Sequence, residues 1–336
     1  MGIIYLAGQR PGAGVTSIAT ALATSWRRAG RRVAVVKPVA LAEDLDASFY
    51  ARTFGSPNDA SALLTSANRD ETIEAARNRV AELDALHDVV IVEGLPCTDA
   101  DGNPVPESPT LAEQRDAKVL GVVPYAPSLA TDDAAHWRDD FASSLMGVIV
   151  NRRTRYGEHD ATHRLAPAFE DAGVPVHGIL PEERLLLAPT VRQIVDLLGG
   201  TYYAGSDHGD DLVEHFLIGG LITEWGGNYF DRLPHQAVLV RGGRMDIQMA
   251  ALGFPMTCLI LTGCERPPQY VQQRARDLDV PLVTVTHDTH AAAALLERIE
   301  RQVTIDHPDK IAHLTSLVEQ AVDLEAIGGT AWVRTA

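Results

Sequence analysis

The chain has 336 residues, enough for two domains, and its 46% hydrophobic and 22% charged content is that of a folded rather than a disordered protein. Its 45 acidic against 29 basic residues give a formal charge of −16, a balance that repels phosphate backbones and argues against nucleic-acid binding. Cys97, Cys258 and Cys264 form neither a disulfide framework nor a CxxC metal pair, and no apolar run reaches the ~18 residues of a membrane span, so a cytoplasmic, membrane-free protein is expected.

In chain order, Ile3–Ala7 reads as a first core strand, and it runs straight into the glycine-rich segment Gly8-Gln9-Arg10-Pro11-Gly12-Ala13-Gly14-Val15-Thr16-Ser17. The amphipathic stretch Thr16–Arg28 follows. Further β-branched runs at Val33–Lys37, Val89–Glu93, Val119–Val123, Gly147–Asn151 and Val176–Leu180 alternate with helical patterns at Glu71–Leu86 and Ala161–Asp171. Such alternation predicts an α/β fold with a mainly parallel sheet covered by helices on both faces. A helix over Val191–Leu198, capped by Thr190, ends at Gly199-Gly200, and Thr201–Gly209 reads as a linker. Alternation resumes with strands at Ala237–Val240, Thr257–Thr262 and Leu282–Thr286. The accompanying helices lie near Met245–Leu252, Pro268–Leu278 and Thr289–Arg301, and a last amphipathic helix lies near Lys310–Leu324. Domains are therefore expected at 1–200 and 207–305, with a helical extension at 306–336 that caps the second domain or packs on a partner.

Glycines at a strand-to-helix junction allow the tight turn in which successive N–H groups face a phosphate, and the helix N-terminus adds partial positive charge. The segment thus reads as a P-loop, in which Gly8, Gly12, Ala13, Gly14, Val15, Thr16 and Ser17 contact the nucleotide and the Thr16 hydroxyl ligates Mg²⁺. Val15 stands where the P-loop lysine normally reaches the β- and γ-phosphates, so binding is expected rather than fast turnover. Arg10 is a substitute cation or a solvated side chain.

Four further motifs follow in order: Val35-Val36-Lys37-Pro38-Val39, Val90-Ile91-Val92-Glu93-Gly94, Gly147-Val148-Ile149-Val150-Asn151-Arg152 and Gly178-Ile179-Leu180-Pro181-Glu182. With the loop, they resemble the dethiobiotin synthetase-like branch of P-loop proteins. More closely, they resemble the N-terminal domain of long bacterial phosphotransacetylases, where an apolar residue commonly replaces the P-loop lysine. The resemblance implies that Gly12, Gly14, Thr16 and Ser17 cradle phosphates and that Lys37 faces the substrate or terminal phosphate in a catalytic position. It also implies that Asp46 and Glu93 join Thr16 on Mg²⁺, that Asn151 reads the base, and that Pro181 and Glu182 line the base pocket. ATP, or another nucleoside triphosphate, and Mg²⁺ are the cofactors it implies.

Residues 207–305 resemble the small domain named for its Asp-Arg-Thr-Gly-Gly (DRTGG) signature, matched here by Arg241-Gly242-Gly243-Arg244-Met245-Asp246. Gly243 replaces the aspartate and Met245 the threonine. Gly242, Gly243 and Arg244 at a strand-to-helix junction, with Thr262 and Gly263 on the neighbouring strand end, are candidate contacts for a small anionic metabolite. The pairs His159/His163 and His287/His290 lack a third ligand and read as helix-start residues with Asp160 and Asp288 as caps.

The reading these features favour is a regulatory nucleotide-binding protein, homo-oligomeric, with a degenerate P-loop domain coupled to a ligand-sensing domain. An ATP-dependent enzyme that phosphorylates a carboxylate, and a scaffold that has lost nucleotide binding, are the alternatives. No acetyltransferase motif follows residue 305, so acetyl transfer to coenzyme A is not expected.

Overall fold

The computed structural model describes residues 2–56, 60–113, 117–220 and 227–328. The chain divides into two compact units, Met1–Glu182 with Ile305–Ala336, and Glu183–Thr304.

The first unit contains strands β1 (Gly2–Gly8), β2 (Val33–Val36), β3 (Val39–Ala40), β4 (Ala62–Leu63), β5 (Val89–Glu93), β6 (Ala117–Pro124), β7 (Leu145–Arg153) and β8 (Val176–Pro181). Its helices begin with α1 (Val15–Arg28), α2 (Asp46–Phe54), α3 (Arg69–Leu86), α4 (Glu107–Ala112), α5 (Thr131–Phe141), α6 (Glu158–Asp160) and α7 (Ala166–Asp171). Six strands form a parallel sheet in the order β2-β5-β1-β6-β7-β8. Runs such as Val89-Val90-Ile91-Val92 are wholly buried, as strands covered on both faces require. On one face Tyr5, Val90 and Val92 pack with Trp137, Phe141, Leu165 and Phe169. From β1 the chain builds first to one side and then to the other, which opens the crevice where such sheets hold ligands at the carboxyl end of β1.

The stretch expected as one helix over 161–171 departs locally, since Ala161–Leu165 is π-helical and links α6 to α7. Pro167 explains the widening, because it has no N–H and its ring collides with the carbonyl one turn back. Asp160 does not cap this helix. It lies inside it and binds Arg164 and Tyr125.

The second unit comprises α8 (Arg184–Leu187), α9 (Val191–Leu198), β9 (Thr201–Ala204), β10 (His215–Ile218), α10 (Gly227–Phe230), β11 (Gln236–Arg241), α11 (Met245–Ala251), β12 (Cys258–Thr262), α12 (Gln269–Asp277), β13 (Leu282–Val285) and α13 (Thr289–Leu296). The sheet order is β10-β11-β12-β13-β9, with only β9 antiparallel. Cores lie on both faces, one with Ile194, Leu239 and Val283, the other with Val240, Ile247 and Leu261. Thr190 caps α9 as expected, accepting from the Gln193 N–H while the Gln193 side chain accepts the Thr190 N–H. The expected linker over 201–209 is overturned at its start. Thr201–Ala204 is an edge strand, because Tyr202 and Tyr203 favour extended backbone and β13 offers a free edge. Asp288 caps α13, which ends at Leu296 rather than 301, and a 3₁₀ turn follows at Ile299–Gln302.

The chain then returns to the first unit through α14 (Pro308–Ala321) and α15 (Leu324–Gly328). Helix α14 packs on α1, and Val322 bridges to Gly178 on the outer strand β8. The C-terminal helix therefore covers the first unit's own sheet edge rather than capping the second unit. Residues 329–336 of that expected extension lie outside the described residues. Among the described residues no helix is long and apolar enough to cross a membrane.

Candidate functional site

The loop between β1 and α1 is held from below. The Gln9 N–H donates to Val122 O, the Cys97 N–H to Gly8 O, and the Ala13 N–H to Arg10 O. Gly12 and Gly14 sit at φ 74° and 97°, the left-handed backbone that glycine adopts without a Cβ penalty. An added Cβ on Gly12 would meet no atom within 4 Å, so that turn of the loop faces open space. No side chain caps α1 at Gly14, which leaves the N–H groups of its first turn without intrahelical acceptors. Gly14, Val15, Thr16 and Ser17 are all partly accessible.

Val15 does more than delete a charge. Its Cγ2 lies over Gly8, 2.9 Å from where a Gly8 Cβ would stand, so the space of the usual lysine stem is packed against the loop. Arg10 is exposed on the loop. Asn151, expected to read a base, faces the loop floor. Its Nδ2 donates to Ala13 O at 2.9 Å, its Oδ1 accepts the Arg152 N–H at 2.9 Å, and Arg152 holds a left-handed φ of 57° to make that second bond. Pro181 ends β8 beside β7, and Glu182 follows it, its N–H donating to Arg153 O.

Beyond the loop, two strand ends and one helix converge. Glu93 ends β5, Lys37 follows β2, and Asp46 opens α2. Glu93 Oε1 accepts the Thr16 hydroxyl at 3.2 Å and the Lys37 ammonium at 2.9 Å. Lys37 Nζ also binds Asp44 Oδ2 at 2.7 Å and Asp46 Oδ2. The other Glu93 oxygen accepts the Tyr50 hydroxyl. The cluster is shielded, with side-chain exposure of 5% for Glu93 and 12% for Lys37.

Burial pushes the Glu93 carboxyl up to about 7, Lys37 and Tyr50 pull it down, and Asp46 adds to the rise. Burial also works against the Lys37 charge, but Glu93, Asp46 and Asp44 outweigh it and raise the pKa. Tyr50 is held well above its ordinary value by burial and by Glu93. The Lys37 and Glu93 shifts pull opposite ways on the pair's charged form. The geometry decides for a charged lysine, since all three ammonium protons have carboxylate acceptors. Asp44 and Tyr50 are the members of the cluster that sequence reasoning missed.

A magnesium-bound phosphate fits these residues. The uncapped α1 turn supplies N–H donors, and Thr16, Asp46 and Glu93 supply the few hard oxygens that suit Mg²⁺. Among the described residues no group of three or more His, Cys, Asp or Glu side chains could hold a metal ion, and His159 and His163 stack on each other with centroids 4.4 Å apart.

In the second unit, Gly242, Gly243 and Thr262, Gly263 meet at the carboxyl ends of β11 and β12. The Gly242 N–H is spent on Thr262 O and the Gly263 N–H on His287 O, while Thr262 shares a hydrogen bond with Thr289. Arg244 is turned onto both carboxylate oxygens of Asp246. The Gly242, Arg244 and Gly263 N–H groups, expected to help cradle an anion there, are thus already used by the sheet's own turns.

The family model described as AAA domain matches residues 3–190, and the one described as DRTGG domain matches residues 193–299. Phosphate acetyltransferase of Pseudomonas putida is 24% identical over 96% of the chain and 51% of its own length; that of Pseudomonas aeruginosa is 25% identical over 97% and 51%. The chain thus spans about half the length of these relatives. A solved structure of the septum site-determining protein MinD from Pyrococcus horikoshii, complexed with Mg-ADP, shares 15% identity with a TM-score of 0.39, over 55% of this chain and 83% of that one.

Proposed function

Because the chain belongs to the AAA domain family, we propose that it is a regulatory nucleotide-binding protein that takes a magnesium nucleotide, ATP or another nucleoside triphosphate, at its lysine-less P-loop. The observation that carries this reading is the convergence of Thr16, Lys37 and Asp46 on Glu93 beside the uncapped first turn of α1. A loop kept only as a connector has no need of a buried carboxylate at the neighbouring strand end, since burying one is costly unless it is paired and used. Bound Mg²⁺ would neutralise phosphate charge there, held by Thr16, Asp46 and Glu93, and the α1 amides would orient the phosphates.

Regulation is favoured over phosphoryl transfer by two features of the chain's own residues. Val15 packs on Gly8 and offers no charge, and the Lys37 ammonium has its three protons on carboxylates. Without a bound metal ion the Lys37 ammonium is therefore committed to carboxylates, and Val15 supplies no charge in its place. Similarity to phosphate acetyltransferases over about half their length, and the match to the DRTGG domain, support a regulatory role in which the second unit would be a companion sensing unit. Within that second unit Arg244 is already held by Asp246, so the P-loop carries the proposal.

A thermal-shift screen of nucleotides with and without Mg²⁺ tests it. A ligand of the folded state raises the melting temperature by mass action, so a shift that needs both nucleotide and Mg²⁺ is expected. No shift with ATP, GTP, ADP or GDP at millimolar concentration would leave the scaffold reading.

A further inference from the structure

The position between Thr16, Asp46 and Glu93 is not without a cation: the Lys37 ammonium is there. Its Nζ lies 2.9 Å from Glu93 Oε1 and 2.7 Å from Asp44 Oδ2 and is bonded to Asp46 Oδ2, while Thr16 reaches the same Glu93 oxygen at 3.2 Å. Both carboxylates expected to hold a divalent ion are therefore direct partners of the lysine, and the hydroxyl is one atom away. Lys37 leaves the end of a buried strand, and its side chain is 12% exposed. It is a cation tethered at fixed reach, not a solvated surface charge. One ammonium against three carboxylates leaves the cluster short of positive charge, which a divalent ion meets better than a monovalent one.

We propose that Lys37 is a tethered counter-cation that competes with the divalent ion for Asp46 and Glu93. Metal entry releases the ammonium from Asp46 and Glu93. The proposal rests on the reading that Thr16, Asp46 and Glu93 form the metal site. It gives that site a property the ligand set alone does not have. Metal alone must displace an ammonium held by three charge-assisted bonds, and the displaced charge has no partner. A nucleotide supplies the partner, because its phosphates accept the freed ammonium. Metal and nucleotide then favour each other's binding, and by linkage the coupling is reciprocal.

The test separates this device from nucleotide binding itself by using Mn²⁺ without nucleotide. Mn²⁺ affinity of the full chain and of Lys37→Met is measured by electron paramagnetic resonance of the free ion. The expected result is at least tenfold tighter binding to the variant, whose carboxylates have lost their competitor. Equal affinity in a folded variant, including no binding to either, overturns the proposal and leaves the nucleotide reading to its own calorimetry. The wild-type chain supplies a second readout that no folding defect can obscure. Its lysines are Lys37, Lys118 and Lys310, of which Lys118 is exposed and Lys310 is buried. Under amine acylation read by mass spectrometry, Lys37 should be protected relative to Lys118 without metal and several-fold more reactive at saturating Mn²⁺. Should the variant not fold by circular dichroism, this labelling decides alone, and Lys37 reactivity unchanged by Mn²⁺ overturns the proposal.

Discussion

Replacing Gly14 by alanine probes the phosphate loop more sharply than any change of charge, and Gly12→Ala is its internal control. Both glycines have positive φ, so an L-residue at either carries a backbone penalty of about 1–2 kcal/mol, offset by about 0.4–1 kcal/mol from a stiffer unfolded chain. At Gly12 nothing else changes, because the new methyl meets open space. At Gly14 the methyl carbon would stand 2.3 Å from Asn151 Nδ2, so the amide must leave Ala13 O. That forfeits a hydrogen bond of about 1 kcal/mol and strands a buried amide at about 1–3 kcal/mol. Gly14→Ala should therefore destabilise by about 2–5.6 kcal/mol, against about 0–1.6 kcal/mol for Gly12→Ala. For a unit of roughly 150–250 residues this corresponds to losses of about 4–22 °C and at most ~6 °C in melting temperature, read by scanning calorimetry. Adding Asn151→Ala to Gly14→Ala removes the obstructing atom, so the double variant should lose less than the sum of the singles. Equal losses for the two glycine variants, or strict additivity with Asn151→Ala, would refute the packing of Asn151 beneath the loop.

Tyr50→Phe should cost about 1.5–3 kcal/mol in urea unfolding, the range for a hydrogen bond to a charged group, because the ring stays packed while Glu93 Oε2 loses its hydroxyl donor. Thr190→Ala should cost about 0.5–2 kcal/mol by removing the cap of α9, again read from the urea midpoint. His208 sits between Asp211 at 2.9 Å and Asp279 at 3.1 Å, and these two carboxylates raise its pKa above the ordinary 6.5. Its folded pKa exceeds the unfolded one, so its contribution is complete below pH 6.5 and is lost as pH rises through the folded value. Unfolding curves of His208→Gln should therefore lack the part of the stability decline that the wild type shows above pH 6.5.

Local pattern made much of this architecture legible. Strands β1, β5 and β11 to β13 announce themselves as short runs of Val, Ile and Leu because parallel strands are buried on both faces. Glu93 was readable for the same reason, as a carboxylate at the end of such a run, and Lys37 likewise after β2. What stayed hidden was decided by tertiary contacts. Asp46 stands in a segment with weak periodicity, and its helix is visible only through what it packs on, with Phe49, Tyr50 and Phe54 buried. Tyr50 reaches Glu93 only because α2 lies beside β2, a relation no spacing encodes. Asn151 has the position expected of a base-reading residue, yet its amide is committed to Ala13 by the closeness of β7 to the loop. The return of α14 to α1 joins residues far apart in the chain, and nothing in the amphipathic pattern of 310–324 says which surface it covers.

Affinity for Mg·ATP, measured by isothermal titration calorimetry for the wild type and Thr16→Ala, tests the phosphate site most directly. The wild type should bind at a micromolar or weaker Kd, and loss of the hydroxyl that faces Glu93 should weaken binding at least severalfold. Identical binding by the two proteins, or heat signals from neither with ATP or GTP, would contradict a metal-assisted phosphate site at this loop.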